Sequence, residues 1–254
     1  MKALLHHGGP AGHWGNLGLW SSDDRYAPAC AALARVVGQA AGLGPGQRVL
    51  SVACGAGDEL LLWVQAFGVQ QALGWDRDAQ ALQQARQVIA AAGLAGRCSV
   101  QAQPPGPADE AFDAVLCVDA AYHLSPRTAW LADAQGRLRP GGRLAFTDLV
   151  LDRDASLPLR AAARLCGVPA DDLVDVEQRL QQLRTAGFDD VQVQRLDAAV
   201  LDGFAAFVRR QSRQLGLQAL QPAWWPAAIT AALIGPCRAA GLGYALFSAR
   251  RPPA

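Results

Sequence analysis

Short apolar runs alternate with segments of helical periodicity along most of the chain. The predicted strands cover residues 48–53, 70–76, 97–102, 112–118 and 142–149. The predicted helices cover residues 29–41, 58–67, 78–92 and 126–138. Glycine and proline in LGPG (43–46) and PGG (140–142) predict turns that lead into the first and fifth strands. This alternation predicts an α/β fold, with a mostly parallel sheet and helices on both faces.

The pattern becomes less regular after Asp148. Short helices and loops are predicted at 150–172, followed by a helix at 174–186 and a strand at 190–195. Two helices broken at Gln221-Pro222 are predicted within 198–240, and the last strand runs from Gly243 to Arg250. We therefore expect an N-terminal arm and helix at 1–45 that covers the site. The α/β domain follows at 46–254, with lid insertions at about 150–172 and 198–240.

The segment VLSVACGAGDE (49–59) combines an apolar strand, a glycine turn and the start of a helix. The turn glycines Gly55 and Gly57 allow a ligand to approach the backbone closely, and Asp76 follows at the end of the next strand. An acid in that position can receive both hydroxyls of a ribose. These features predict a nucleoside cofactor at the carboxyl edge of the sheet.

Residues of the same segment distinguish between two classes of nucleoside cofactor, dinucleotides and SAM. A dinucleotide fingerprint needs a third glycine where this chain has Leu60. Asp58 and Glu59 in the first helical turn would repel a pyrophosphate, which normally binds at a helix N-terminus. They suit an ammonium and a sulfonium, so S-adenosylmethionine (SAM) is favoured over a nicotinamide cofactor.

Four motifs in order extend this interpretation: VLSVACGAGD (49–58), ALGWDRDA (72–79), FDAVLCVDAAYHL (112–124) and LRPGGRLAFTDL (138–149). They resemble the class I SAM-dependent methyltransferases over roughly residues 14–195, most closely bacterial small-molecule enzymes similar to the sterol and tocopherol group. The resemblance implies a Rossmann-like, seven-stranded sheet whose last strand runs antiparallel between its neighbours. It also implies SAM as cofactor, S-adenosylhomocysteine (SAH) as product, and no metal.

The resemblance also assigns a set of cofactor-binding residues. They are Ser51, Ala53, Cys54, Gly55, Gly57, Asp76, Arg77, Ala102, Gln103, Val118 and Trp20. The methionine part of SAM is expected against residues 53–57, the ribose at Asp76 and the adenosine beside Arg77. An alternative role for Asp76 is a helix N-cap. The chain departs from the family at three places: Ser51 replaces an acid, Ala53 replaces a glycine, and QAQ (101–103) lacks the acid that many relatives place at the adenine.

The catalytic candidates lie at the end of the fourth strand: His123, Tyr122 and Asp119. Methyl transfer requires alignment and a dry pocket, and a hydroxyl acceptor also needs a base. His123 is the first candidate because a histidine can serve near neutral pH, with Tyr122 and Asp119 behind it. A structural role for His123, packing against the cofactor or capping the helix near Pro126, remains an equal alternative.

Aromatic residues in the arm and the final third allow two interpretations each. The arm segment GHWGNLGLW (12–20), with Trp14, Asn16 and Trp20, either closes over the site or packs against its side. Four aromatic residues either roof an apolar acceptor pocket or belong to the core: Phe204, Phe207, Trp224 and Trp225. The histidines of the arm, His6, His7 and His13, lack partners at metal-ligand spacing and are expected to be surface residues.

Composition narrows the partners. The formal charge is +1 and the basic residues are dispersed, so a nucleic-acid substrate is disfavoured. Six cysteines without CxxC spacing predict reduced, buried thiols in a cytoplasmic protein. The chain shows no signal-peptide pattern and no apolar run of ~18 residues, so no membrane span is expected. We expect a monomer or homodimer that acts on a small-molecule acceptor.

Together these observations favour transfer of the SAM methyl group to a small apolar metabolite of secondary or fatty-acid metabolism, with oxygen as the favoured acceptor atom. N- or C-methylation is an alternative on the same fold. So is a non-methylating cyclisation or rearrangement in which the sulfonium acts electrostatically. A partner subunit without activity and a nicotinamide oxidoreductase are the remaining alternatives.

Overall fold

One seven-stranded sheet organises the part of the chain that the structure describes. The computed structural model describes residues 12–20, 25–106 and 111–254. The strands are β1 (Arg48–Val52), β2 (Gln71–Trp75), β3 (Cys98–Gln101), β4 (Phe112–Cys117), β5 (Leu138–Leu151), β6 (Asp189–Arg195) and β7 (Leu242–Arg250). Their order is β3-β2-β1-β4-β5-β7-β6, and β7 runs antiparallel to both β5 and β6. The other pairs are parallel, so the expected Rossmann-like, mostly parallel sheet is confirmed.

Eight α-helices connect or cover these strands in the described ranges. They are α1 (Tyr26–Ala40), α2 (Asp58–Phe67), α3 (Ala79–Ala91), α4 (Arg127–Arg137), α5 (Leu157–Leu165), α6 (Val176–Thr185), α7 (Gly203–Leu215) and α8 (Trp225–Ala239). Helix α2 has the bounds that the sequence predicts, because Gly57 and Gly68 adopt left-handed conformations at its two ends. No helix of the described segments is long and apolar enough to cross a membrane.

The core lies on both faces of the sheet. On one face, α1, α2 and α3 bury residues such as Leu33, Trp63 and Leu82. On the other, α4 and α6 contribute Trp130 and Leu183. Helices α5, α7 and α8 contribute to the first cluster, which places them on the same face of the sheet as α1.

The predicted turn at 140–142 lies inside a strand. Strand β5 begins at Leu138, four residues earlier than predicted, and its pairing shifts from Phe112–Leu138 to Ala114–Arg143. The extra residues form a bulge that includes Gly141, whose φ is +79°. A side chain at Gly142 would lie 2.9 Å from the Arg139 carbonyl oxygen, so glycine permits the bulge.

Candidate active site

The loop after β1, residues 53–57, turns sharply at the carboxyl edge of the sheet. Ala53, Gly55 and Gly57 have φ values of 58°, 53° and 82°, which L-residues other than glycine adopt rarely. Close packing explains the glycine at 57, since a Cβ there would lie 3.1 Å from that of Ala85. We call residues 53–57 the glycine loop.

Asp76 follows β2 and faces this loop. Its Oδ2 accepts a hydrogen bond from the Gly55 N–H at 2.8 Å, and its Oδ1 accepts one from the Asp78 N–H at 2.9 Å. The N-cap of α3 is Asp78, whose carboxylate accepts from the N–H groups of Gln80 and Ala81. Asp76 is therefore not the helix cap, and its carboxylate oxygens retain lone pairs for hydroxyl donors.

A cleft of about 320 Å³ opens between the glycine loop, the end of β4 and the arm. We call it the glycine-loop cleft. The predicted cofactor residues that line it are Ala53, Cys54, Gly55, Gly57, Asp76 and Val118. The predicted catalytic residues Asp119, Tyr122 and His123 line it as well. Of the arm, His13, Trp14, Gly15 and Asn16 contribute.

Five predicted cofactor residues lie elsewhere. Arg77 lines an adjoining cavity that shares Asp76 and His123 with the cleft. Ala102 and Gln103 border a separate groove beside β3. Two others are absent from the residues that line the cleft. Ser51 is fully buried in β1, and the partly buried Trp20 packs against the hydrophobic core.

Trp20 is held away from the cleft by aromatic packing. Its ring stacks on Phe207 at a centroid distance of 4.6 Å and lies 6.5 Å from the Tyr26 ring. The absence of a side chain at Gly203 makes room for it, since a Cβ there would lie 2.5 Å from the Trp20 Cβ. The sequence predicts an aromatic residue at the cofactor, and the structure instead places Trp20 as the anchor of the arm.

A second cavity of about 310 Å³ lies under α5, α7 and α8. We call it the apolar chamber, because its lining includes Leu149, Leu159, Val168, Phe204 and Ile234. Of the four aromatic residues considered as a roof, only Phe204 lines it, while Trp225 is 54% exposed. The chamber and the glycine-loop cleft share Gly15, Asn16, Asp119, Tyr122 and His123, so these residues form the boundary between the two.

Asp119 is the centre of a buried hydrogen-bond network at this boundary. It accepts from the hydroxyls of Tyr122 at 2.9 Å and Tyr244 at 2.7 Å, and from the Leu17 N–H at 2.6 Å. Tyr244 also bonds to Thr147. Burial raises the pKa of Asp119 to about 6, although these donors oppose the shift by stabilising the charged form.

His123 lies on a 3₁₀ turn, Ala121–His123, and its exposed ring borders both cavities. Its Nδ1 lies 2.9 Å from the carbonyl oxygen of Gly167, in the loop after α5. Because a carbonyl oxygen only accepts, Nδ1 carries the proton in this hydrogen bond and the neutral ring has its lone pair on Nε2. Helix α4 has no side-chain cap, so His123 does not cap it.

A buried cluster of charged side chains holds the backbone of the turn that carries His123. Arg127 donates to the carbonyl oxygens of Ala121 and Leu124 and pairs with Asp148 at 3.0 Å. Arg179 pairs with the same Asp148 at 3.1 Å. The cluster joins α4 and α6 to Asp148 of β5. Removal of either arginine would leave the buried Asp148 carboxylate less compensated.

Comparison with known proteins decides the family. A family described as a methyltransferase domain matches residues 49–142. The O-methyltransferase resE of Aspergillus sclerotiorum is 31% identical over 182 residues, covering 68% of this chain and 67% of the relative. The chain is a class I SAM-dependent methyltransferase.

The methyltransferase has further relatives. The erythromycin 3''-O-methyltransferase of Saccharopolyspora erythraea is 29% identical over 218 residues, covering 78% of this chain and 69% of the relative. The solved structure of the [4+2]-cyclase SpnF is similar with a TM-score of 0.75 and 25% identity, covering 99% of this chain and 93% of that one. The cofactor is SAM, and solved structures of the same fold contain SAH.

The charges in the cleft of this methyltransferase fit that cofactor. The acidic side chains of Asp58, Glu59 and Asp76 line the glycine-loop cleft, and the described residues that line it include no lysine or arginine. A cationic sulfonium and ammonium are compatible with such a lining, whereas a pyrophosphate would be repelled. The preference for SAM over a dinucleotide is confirmed.

The structure also bears on the predictions for the cysteines and for metal ligands. The six cysteines are free, and all are buried except Cys166, which the sequence did not distinguish from the others. Among the described residues, no group of three or more His, Cys, Asp or Glu side chains is placed so that it could hold a metal ion. His6 and His7 lie outside the described residues.

Tyr244 and Glu59 are site residues that the sequence did not single out. Tyr244 is far from Asp119 in the chain, and nothing in the strand GYALFSAR shows which partner it meets. Glu59 was predicted only as part of an acidic first turn, and the structure buries it against Ser51. Tyr244 was missed because its partner is distant in the chain, whereas the contact of Glu59 with Ser51 was missed because the sequence does not show which way the Glu59 side chain turns.

Proposed function

We propose that this methyltransferase transfers the SAM methyl group to a hydroxyl oxygen of a small, apolar metabolite. The observation that carries the proposal is the position of His123, at the boundary of the two cavities, with Nδ1 bound to the Gly167 carbonyl. That bond directs the basic lone pair to Nε2, the atom that would receive a proton from an acceptor. The O-methyltransferases among the relatives support the same acceptor atom.

Each part of the site would have a separate role in this reaction. Asp76 would receive the ribose hydroxyls and the glycine loop would lie against the methionine part. When bound, SAM supplies an electrophilic methyl group on a sulfonium. His123 would take the hydroxyl proton at Nε2, and the Gly167 carbonyl would stabilise the resulting imidazolium through Nδ1–H. The apolar chamber would hold the acceptor in line and exclude water.

The chamber favours a neutral acceptor over an anionic one. Its described lining contains no arginine or lysine, so a carboxylate or phosphate would enter without a partner. A hydroxyl group, in contrast, is neutral when it enters the chamber and needs no positively charged partner there. A hydroxylated metabolite such as a polyketide or an isoprenoid therefore fits this chamber better than a fatty acid.

The arm is proposed as the cover of both cavities. The His13 N–H donates to Asp58 at 3.1 Å and the Leu17 N–H donates to Asp119, so the arm is bound to both cavities by backbone groups. Asn16 donates to the Cys30 carbonyl at 3.2 Å. The far end of the arm is fixed by the backbone N–H of Trp20, which donates to the Ala199 carbonyl.

The test is a methylation assay with paired acceptors. Purified enzyme and SAM are incubated with hydroxylated isoprenoid and polyketide fragments, and with matched carboxylates and amines, and products are identified by mass spectrometry. We expect methyl ethers, with turnover lowered about 10²–10⁴-fold in His123→Ala and little change in SAH affinity. Equal turnover of wild type and variant would refute the role of His123.

A second function has one observation in its favour, the similarity to the [4+2]-cyclase SpnF over 99% of this chain. In a non-methylating reaction the cofactor would leave the site unchanged. Stoichiometric formation of SAH with product excludes this alternative, whereas turnover without SAH would establish it.

A further inference from the structure

Glu59 is a buried carboxyl that faces a ligand cleft. It lies in the first turn of α2 and lines the glycine-loop cleft. Its Oε1 accepts a hydrogen bond from the Ser51 hydroxyl of β1, and Ser51 itself is fully buried. A buried carboxyl is costly unless it is neutral or meets a positive charge.

The surroundings of Glu59 supply no positive charge among the described residues that line the cleft. Burial raises its pKa to about 8, and the nearby carboxylates of Asp58 and Asp76 add to the shift, while the Ser51 hydroxyl opposes it. The thiols that interact with it electrostatically stay neutral, because burial raises their pKa. The titratable groups that face Glu59 are Asp58, Asp76, Cys54 and Cys117.

We propose that Glu59 receives the ammonium group of the methionine part of SAM. The Ser51 hydroxyl binds and orients the Glu59 side chain, at the first-strand position where the resemblance implies an acid. Along the chain the glycine loop separates Ser51 from Glu59, so the acid reaches the same cleft from the helix instead of the strand. This role concerns the cofactor alone and holds for any acceptor.

Proton release follows from this role. In the free protein Glu59 holds a proton below about pH 8, and an ammonium within ion-pair distance favours the carboxylate. Cofactor binding therefore expels a proton from Glu59 at neutral pH. Affinity for SAH rises with pH up to about 8, by at most about tenfold per pH unit, and levels off above it.

Calorimetric titration with two ligands tests the role. SAH carries the ammonium, whereas 5′-methylthioadenosine has the adenosine and the thioether without the amino acid part. Glu59→Gln keeps an acceptor for the Ser51 hydroxyl. We expect the Kd of SAH to rise about tenfold or more in this variant, with the Kd of 5′-methylthioadenosine changed less than about twofold.

Two further measurements make the test specific. Titrations in buffers of different ionisation enthalpy should show proton release with SAH in the wild type and its loss in Glu59→Gln. The matched control Glu177→Gln changes an exposed glutamate of α6 and should leave both ligands unaffected. Equal weakening of both ligands in Glu59→Gln, or of neither, overturns the proposal, as does unchanged proton release.

Discussion

Ala53 occupies a left-handed backbone conformation, and its replacement by glycine should stabilise the protein. Its φ is 58°, between the end of β1 and Gly55, at the position where the resemblance implies a glycine. In this region the Cβ of an L-residue crowds the backbone, at a cost of roughly 1–2 kcal/mol. Glycine removes that cost.

The opposing term is the greater freedom of glycine in the unfolded chain, which is worth roughly 0.5–1 kcal/mol. Ala53 is half-buried, so the lost methyl contact is small. From the midpoints of the two ranges, Ala53→Gly is predicted to raise the free energy of unfolding by roughly 0.7 kcal/mol. An Ala→Gly change at an unstrained position lowers the free energy of unfolding instead.

The comparison variant is Ala90→Gly, on the exposed side of α3. There alanine is helical and unstrained, so the free energy of unfolding should fall by about 0.5–1 kcal/mol. Urea unfolding of the three proteins, with equal m-values, measures both changes. A loss of stability in Ala53→Gly equal to that in Ala90→Gly would show that the loop stores no strain at this residue.

Three further changes probe the site. Asp76→Ala should weaken SAH binding by about 1–3 kcal/mol in calorimetry through the lost ribose contact, and unchanged affinity would exclude that contact. Asp119→Asn should become less stable relative to wild type as pH falls from about 6 to about 4, because the raised pKa of about 6 lets the folded wild type take up a proton before the unfolded chain does. A pH-independent difference would contradict this. Arg127→Met should lower the free energy of unfolding by about 3 kcal/mol, since Asp148 retains only Arg179, and a loss below about 1 kcal/mol would show that the cluster is dispensable.

Local features of the sequence predict much of the fold and part of the site. The strand, glycine loop and helix from residue 48 to 67 follow from apolar periodicity and glycine. Together with the next strand, they predict that Asp76 lies at the carboxyl edge of the sheet, beside the glycine loop. The bulge at Gly141 was missed because a glycine inside a strand and a glycine before one leave the same local pattern. Trp20 was assigned to the cofactor through the family resemblance, whereas its position depends on its contacts with Gly203 and Phe207.

Asp119 has consequences for how the protein is made. Its carboxylate is held by Leu17 near the start of the described chain and by Tyr244 in the last strand. Strand β7 also separates β5 from β6, so β6 has no place in the sheet until β7 has left the ribosome. The nascent chain can form its glycine loop early, but the wall between the two cavities is completed only after β7 has been synthesised.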